Sequence, residues 1–128
     1  MGKSTKRVMQ EKRQAFKPLV YICAPYRGDI NKNIKDAIRY AKFTYEQGNV
    51  PITPHLFFPF LDESKENYRQ DALTMNLILL GKCQEVWVFG KKITEGMAKE
   101  LEVSKRRKQT VRYFTEECEE IEYAANDL

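Results

Sequence analysis

The chain lacks several things that would have announced a function. Its 128 residues hold a single histidine, His55. One histidine cannot supply the ligand set of a zinc site, and no Cys or carboxylate group beside it completes one. Three cysteines occur, Cys23, Cys83 and Cys118, too widely spaced for a disulfide framework. One thiol is left over in any pairing, which fits a reducing cytoplasm. No apolar run approaches the roughly 18–20 residues of a membrane span. The start, Met1 to Lys6, has no apolar stretch of signal-peptide type. Only six glycines are present. They form neither the dinucleotide fingerprint nor the P-loop, and no serine sits on a nucleophile elbow.

Charge is present but uneven. The net charge is +4. Residues 1–17 carry six basic side chains against one acidic, and the remainder 16 basic against 17 acidic. The body is therefore close to neutral, and the basicity belongs to a leader read as solvated tail. Arg106, Arg107 and Lys108 suit the C-terminal end of a helix, so they do not require a nucleic-acid partner.

Periodicity organises the rest. Leu19–Cys23 reads as a buried strand, and Ala24–Asp29 as a turn. Ile30, Ile34, Ala37, Ile38, Ala41 and Tyr45 repeat at helical spacing up to Gly48. Residues 49–53 form a second strand, in which Pro51 favours an edge. Pro54–Phe60 is an aromatic loop, where Phe57, Phe58 and Phe60 could stack a base or lie in the core. Ser64 with Asn67 opens a helix to about Leu80. Glu85–Phe89 is a third strand, followed by a helix to about Lys105, and Thr110–Phe114 is a fourth strand. The acidic segment after it, with Glu116, Glu117, Glu119, Glu120 and Glu122, is expected to be a solvated helix face. The alternation predicts a single α/β domain with a parallel sheet, spanning 18–114 between a leader (1–17) and a tail (115–128).

In such sheets ligands bind beyond the carboxyl ends of the strands. Three strand-end segments hold Tyr26, Arg27, His55 and Thr94, with Glu100 close by. Arg27 has the planar fork that fits phosphate, and Gly28 lets backbone approach closely. Thr94-x-Gly96 opens a helix, whose free N–H groups suit an anion, although Thr94 also serves as an ordinary N-cap. Glu100, one turn further in, could attack an anomeric carbon or steady an oxocarbenium charge. Lys99 beside it is either solvated or lowers its pKa. Tyr21 could position Glu100, although pattern alone favours a core tyrosine.

Together these residues resemble the nucleoside 2-deoxyribosyltransferase-like superfamily, and most closely a small uncharacterised branch of it, one of the domains of unknown function. Tyr21-Ile22-Cys23-Ala24-Pro25-Tyr26-Arg27-Gly28 is similar to the family's first strand and turn. Glu85–Gly90 followed by Thr94-x-Gly96-Met97-x-x-Glu100 is similar to its strand and Ser/Thr-x-Gly-x-x-x-Glu motif. The resemblance covers about residues 18–114. It implies a flavodoxin-like, Rossmann-like three-layer sandwich with a four- or five-stranded parallel sheet, assembled as a homodimer or higher oligomer. It implies cleavage of the N-glycosidic bond of a nucleoside or nucleoside 5′-monophosphate, with Glu100 as nucleophile and Tyr21 orienting it. Arg27, Gly28, Thr94 and Gly96 would surround the phosphate or 5′ end, and Cys23 and His55 would join the substrate-binding set. The family's acid for the leaving base would fall to Asp71, with Asn76 a neighbouring candidate. No metal or organic cofactor is implied. The alternative is a nucleotide-binding or nucleotide-sensing module using the same pocket.

Overall fold

The computed structural model describes residues 16–62 and 64–122. The reading of residues 1–17 as a leader therefore falls almost wholly outside the described residues. Among the described residues five strands and three α-helices follow in order: β1 (Leu19–Cys23), α1 (Ile30–Glu46), β2 (Val50–Ile52), α2 (Glu66–Gly81), β3 (Glu85–Phe89), α3 (Glu95–Arg106), β4 (Thr110–Phe114) and β5 (Glu120–Ile121). A short 3₁₀ turn, Pro54–Leu56, lies between β2 and α2. The sheet order is β2-β1-β3-β4-β5. The first four strands are parallel, and β5 pairs antiparallel with β4.

Local chemistry explains the boundaries. Asp29 caps α1, its carboxylate accepting from Lys32 N at 3.2 Å. Gly48, at φ +93°, supplies the left-handed turn after α1. Thr94 caps α3 by accepting from Met97 N at 3.3 Å. Ser64 does not cap α2. Its hydroxyl bonds Asp62 instead, and the helix begins at Glu66 with no side-chain cap. Pro51 sits in β2, an edge strand, where its missing N–H costs no central ladder bond.

Alternation along the strands sorts the core onto two faces. Val20 and Ile22 of β1, with Trp87 and Phe89 of β3 and Phe114, pack with Tyr40 and Phe43 of α1. Tyr21 and Cys23, with Val86 and Val88, pack with Leu80 of α2 and Met97 of α3. So α1 covers one face, and α2 and α3 the other. That second face puts Tyr21 beneath α3.

Two expectations change. The segment after Phe114 is not a helix where it is described. It turns through Cys118, at φ +64°, into β5. Arg112 clamps β5 through two bonds to Glu120, at 2.8 and 2.6 Å. An all-parallel sheet is likewise replaced by four parallel strands and one antiparallel. The free edge of β4 is the cause: it offers unpaired backbone groups that a returning chain can satisfy.

Candidate active site

The crevice forms where the chain order reverses, between β1 and β3, as expected for a doubly wound sheet. A cavity of about 360 Å³ opens there, within the range of small-molecule sites. Four segments build its wall, α2 among them with Arg69, Gln70 and Asn76. Ala24, Tyr26 and Arg27 follow β1, while His55 and Phe58 follow β2. From α3 come Thr94, Gly96 and Glu100.

Glu100 is the central side chain. It lines the cavity yet is only 8% exposed, and its Oε2 is buried with no hydrogen-bond partner. Burial raises its pKa to about 7, against a smaller lowering by Tyr21. Lys99 does not lower it. That side chain is half-exposed and pairs with Glu95 at 3.4 Å. Tyr21 is fully buried under α3, and its phenol is pushed well up, first by burial and then by Glu100. The two groups are near enough to shift one another's titration. Even so, neither Tyr21 Oη nor Glu100 Oε2 makes a hydrogen bond of standard geometry. Cys23, also fully buried, lies close enough that Glu100 adds to the burial that raises its thiol. Tyr21 and Cys23 thus lie beneath the cavity and are not among the residues that line it.

A helix start and the Arg27 guanidinium stand at another part of the wall. Thr94, Glu95 and Gly96 present the start of α3 to the cavity. Gly96 has no positive φ, and a Cβ built on it would meet nothing within 4 Å. Neither backbone strain nor internal packing therefore demands glycine there. Arg27 is exposed, lines the cavity, and forms no ion pair among the described residues. Gly28, at φ +98°, makes the turn behind it and does not itself line the wall.

His55 is held in one tautomer. Its Nε2 lies 3.1 Å from Ala24 O and 3.0 Å from Pro25 O, so that nitrogen carries the hydrogen. Burial lowers its pKa, outweighing those two bonds. Asn76 lines the cavity from α2, with its Oδ1 buried and unpartnered. Asp71 is not brought in. It is exposed on α2, and its neighbours Gln70 and Ala72 line the cavity instead. Spacing explains this: Glu66, Arg69, Leu73 and Asn76 fall on one face of α2, and Asp71 falls outside it. Arg69 and Gln70 join the wall without any motif in the sequence that marks them. Their signal was this polar stripe at helical spacing, which the apolar repeat of Leu73, Leu77 and Leu80 overshadowed.

A domain-of-unknown-function model, DUF7768, matches residues 18–114. The chain belongs to this family. Among solved structures, this DUF7768 chain is similar to a 2-deoxyribosyltransferase from the psychrotolerant bacterium Bacillus psychrosaccharolyticus, described as a biocatalyst for nucleoside synthesis. The TM-score is 0.61 at 16% identity, covering 76% of this chain and 72% of the other. It is also similar to a 2-deoxyribosyltransferase from Leishmania mexicana, with a TM-score of 0.55 at 16% identity, over 77% of this chain and 64% of that one. At such identity the likeness establishes a shared fold. No curated protein matches the chain. No helix among the described residues is long and apolar enough to cross a membrane.

Proposed function

We propose that the cavity binds a nucleoside or nucleoside 5′-monophosphate and cleaves its N-glycosidic bond. The observation that carries this is Glu100: a cavity-lining carboxyl that is nearly buried, with one oxygen unpartnered. A surface glutamate would be solvated and near its ordinary pKa. This one gains partners and a use only if something occupies the cavity. The deoxyribosyltransferase-like fold supports the reading by analogy.

In the proposed reaction the ionised Glu100 attacks C1′. The C1′–Oε bond forms as the C1′–N bond breaks, and the base leaves with the bonding pair and takes up a proton. Water then releases the sugar in a hydrolase, or a second base accepts it in a transferase. Tyr21 would steady the carboxylate from below. Arg27 and the Thr94–Gly96 helix start would hold the 5′ end or phosphate, with Gly28 shaping that turn. Asn76 is better placed than Asp71 to face the leaving base.

The proposal extends to a flavodoxin-like three-layer sandwich built on residues 18–114 and completed by β5, and to a cytoplasmic homodimer or higher oligomer. The measurement is base release from a panel of nucleosides and nucleotides. Glu100→Gln should reduce release about 10³-fold or more while circular dichroism is unchanged. Release that persists in that variant removes Glu100 from the chemistry.

A second reading is a module that binds nucleotide without turning it over. The exposed position of Asp71 favours it, since the expected acid does not reach the cavity from this chain. Saturable binding with ligand recovered intact after long incubation would select it.

A further inference from the structure

Resting on the nucleotide reading above, we propose that His55 and Asn76 read an exocyclic amine on the base, so that the site selects adenine or cytosine over their keto counterparts. Two acceptor atoms carry this. His55 Nδ1 and Asn76 Oδ1 are both buried, both without a partner, and both belong to side chains that line the same cavity. Most of the residues around them leave no such atoms, because buried polar groups are as a rule paired.

The His55 acceptor is fixed in kind. Backbone carbonyls only accept, so Ala24 O and Pro25 O hold the hydrogen on Nε2. A neutral ring with its hydrogen on Nε2 has a bare lone pair on Nδ1. Rotating the ring to donate from Nδ1 would forfeit both carbonyl bonds. The ring is also hemmed by Tyr26, with centroids 5.7 Å apart.

Asn76 adds a second acceptor, and its amide nitrogen adds a donor. The complement of two acceptors and one donor is a group with two N–H hydrogens beside a bare ring nitrogen. Adenine offers this with its 6-amine and N1 or N7, and cytosine with its 4-amine and N3. An asparagine amide pairs with an amine and adjacent ring nitrogen in the same way when it reads adenine in DNA. Hypoxanthine and uracil present the inverse. They have one ring N–H flanked by carbonyl oxygen, which would set acceptor against acceptor and leave a lone pair unmet. Sites built on such pairing reject the mismatched isostere strongly. Phe58, on the same wall, offers a face for stacking that does not depend on the base.

The test uses calorimetry on the full chain carrying Glu100→Gln, so that ligand stays intact. The ligands are the 5′-monophosphates of deoxyadenosine, deoxyinosine, deoxycytidine and deoxyuridine. The amine member of each pair should bind roughly tenfold or more tightly than its keto partner. Adding His55→Phe or Asn76→Leu should narrow that ratio, and two variants on separate elements guard against one failing to fold. Equal affinities, or tighter binding of the keto members, would overturn the base assignment and leave the nucleotide reading standing. No binding of any of the four would overturn both.

Discussion

At the scale of single residues, Glu100 links its proton to folding. Its pKa lies near 7 in the fold, against about 4.5 for a free glutamate. The folded state therefore holds this proton more tightly than the unfolded chain does. The stability it contributes is complete below about pH 4.5 and is lost as pH rises through about 7. The loss amounts to about 3 kcal/mol if burial is maintained, since each pKa unit is about 1.4 kcal/mol. Glu100→Gln removes the ionisation. Urea melts should show the variant gaining stability over the parent between pH 5 and pH 8, by up to that amount. A constant difference would mean that Glu100 titrates normally. His55 acts in the other direction, because burial disfavours its charged form and its contribution is lost as pH falls below its unfolded value near 6.5. If Glu100 is the nucleophile, kcat/KM should rise with pH toward a plateau above about 7, because only the carboxylate attacks. A flat profile across pH 6–8 would contradict the pairing of role and ionisation.

At the scale of elements, the first turn of α3 holds a trade-off. Glycine inside a helix costs about 0.5–1 kcal/mol relative to alanine. Gly96 has ordinary helical φ and open space where a Cβ would stand. Gly96→Ala should therefore raise thermal stability by roughly that amount while weakening nucleotide binding, since the methyl group enters the cavity. Stabilisation with unchanged affinity would show that the ligand does not approach this turn. Thr94 is both cap and wall. Thr94→Ala should cost about 1 kcal/mol in a denaturant melt, and Thr94→Ser should restore most of it. The helix start was legible in the sequence because capping is local. Which side of α2 faces the cavity was not. Gln70, Asp71 and Ala72 are consecutive, and only packing against α3 and the β1 face decides which of them turns inward.

At the scale of the whole molecule, the fold rests on the aromatic layer under α1. Trp87 is 2% exposed, tilted against Phe114 at 4.9 Å between centroids, with the Arg112 guanidinium 4.6 Å over its ring. Its indole N–H reaches Glu85 at 3.0 Å. Trp87→Ala should cost about 3–5 kcal/mol, read as a fall in the denaturation midpoint. This layer lies on the opposite face of the sheet from Tyr21 and Glu100, so surviving folded protein should match the parent in the proposed nucleotide binding. The four parallel strands are readable because each is a short segment with β-branched or aromatic residues bounded by turn residues, β1 and β3 as apolar runs. The segment 115–122 does not read as a strand in the sequence because β5 has little apolar signal of its own. Glu120 and Ile121 become a strand only because β4 offers an edge and Arg112 a clamp, both distant from what the segment's own composition favours.

The sequence by itself determined the strands, the helix starts and the order in which they alternate, because caps, turns and hydrophobic periods act over a few residues. It also marked Glu100 and Arg27 by their place after strands. Only the tertiary structure decided that Glu100 is buried rather than solvated, that His55 keeps its hydrogen on Nε2, and that Asn76 rather than Asp71 faces the cavity. Burial and tautomer are properties of neighbours brought together from distant parts of the chain, and local spacing says which residues share a helix face but not which face turns inward.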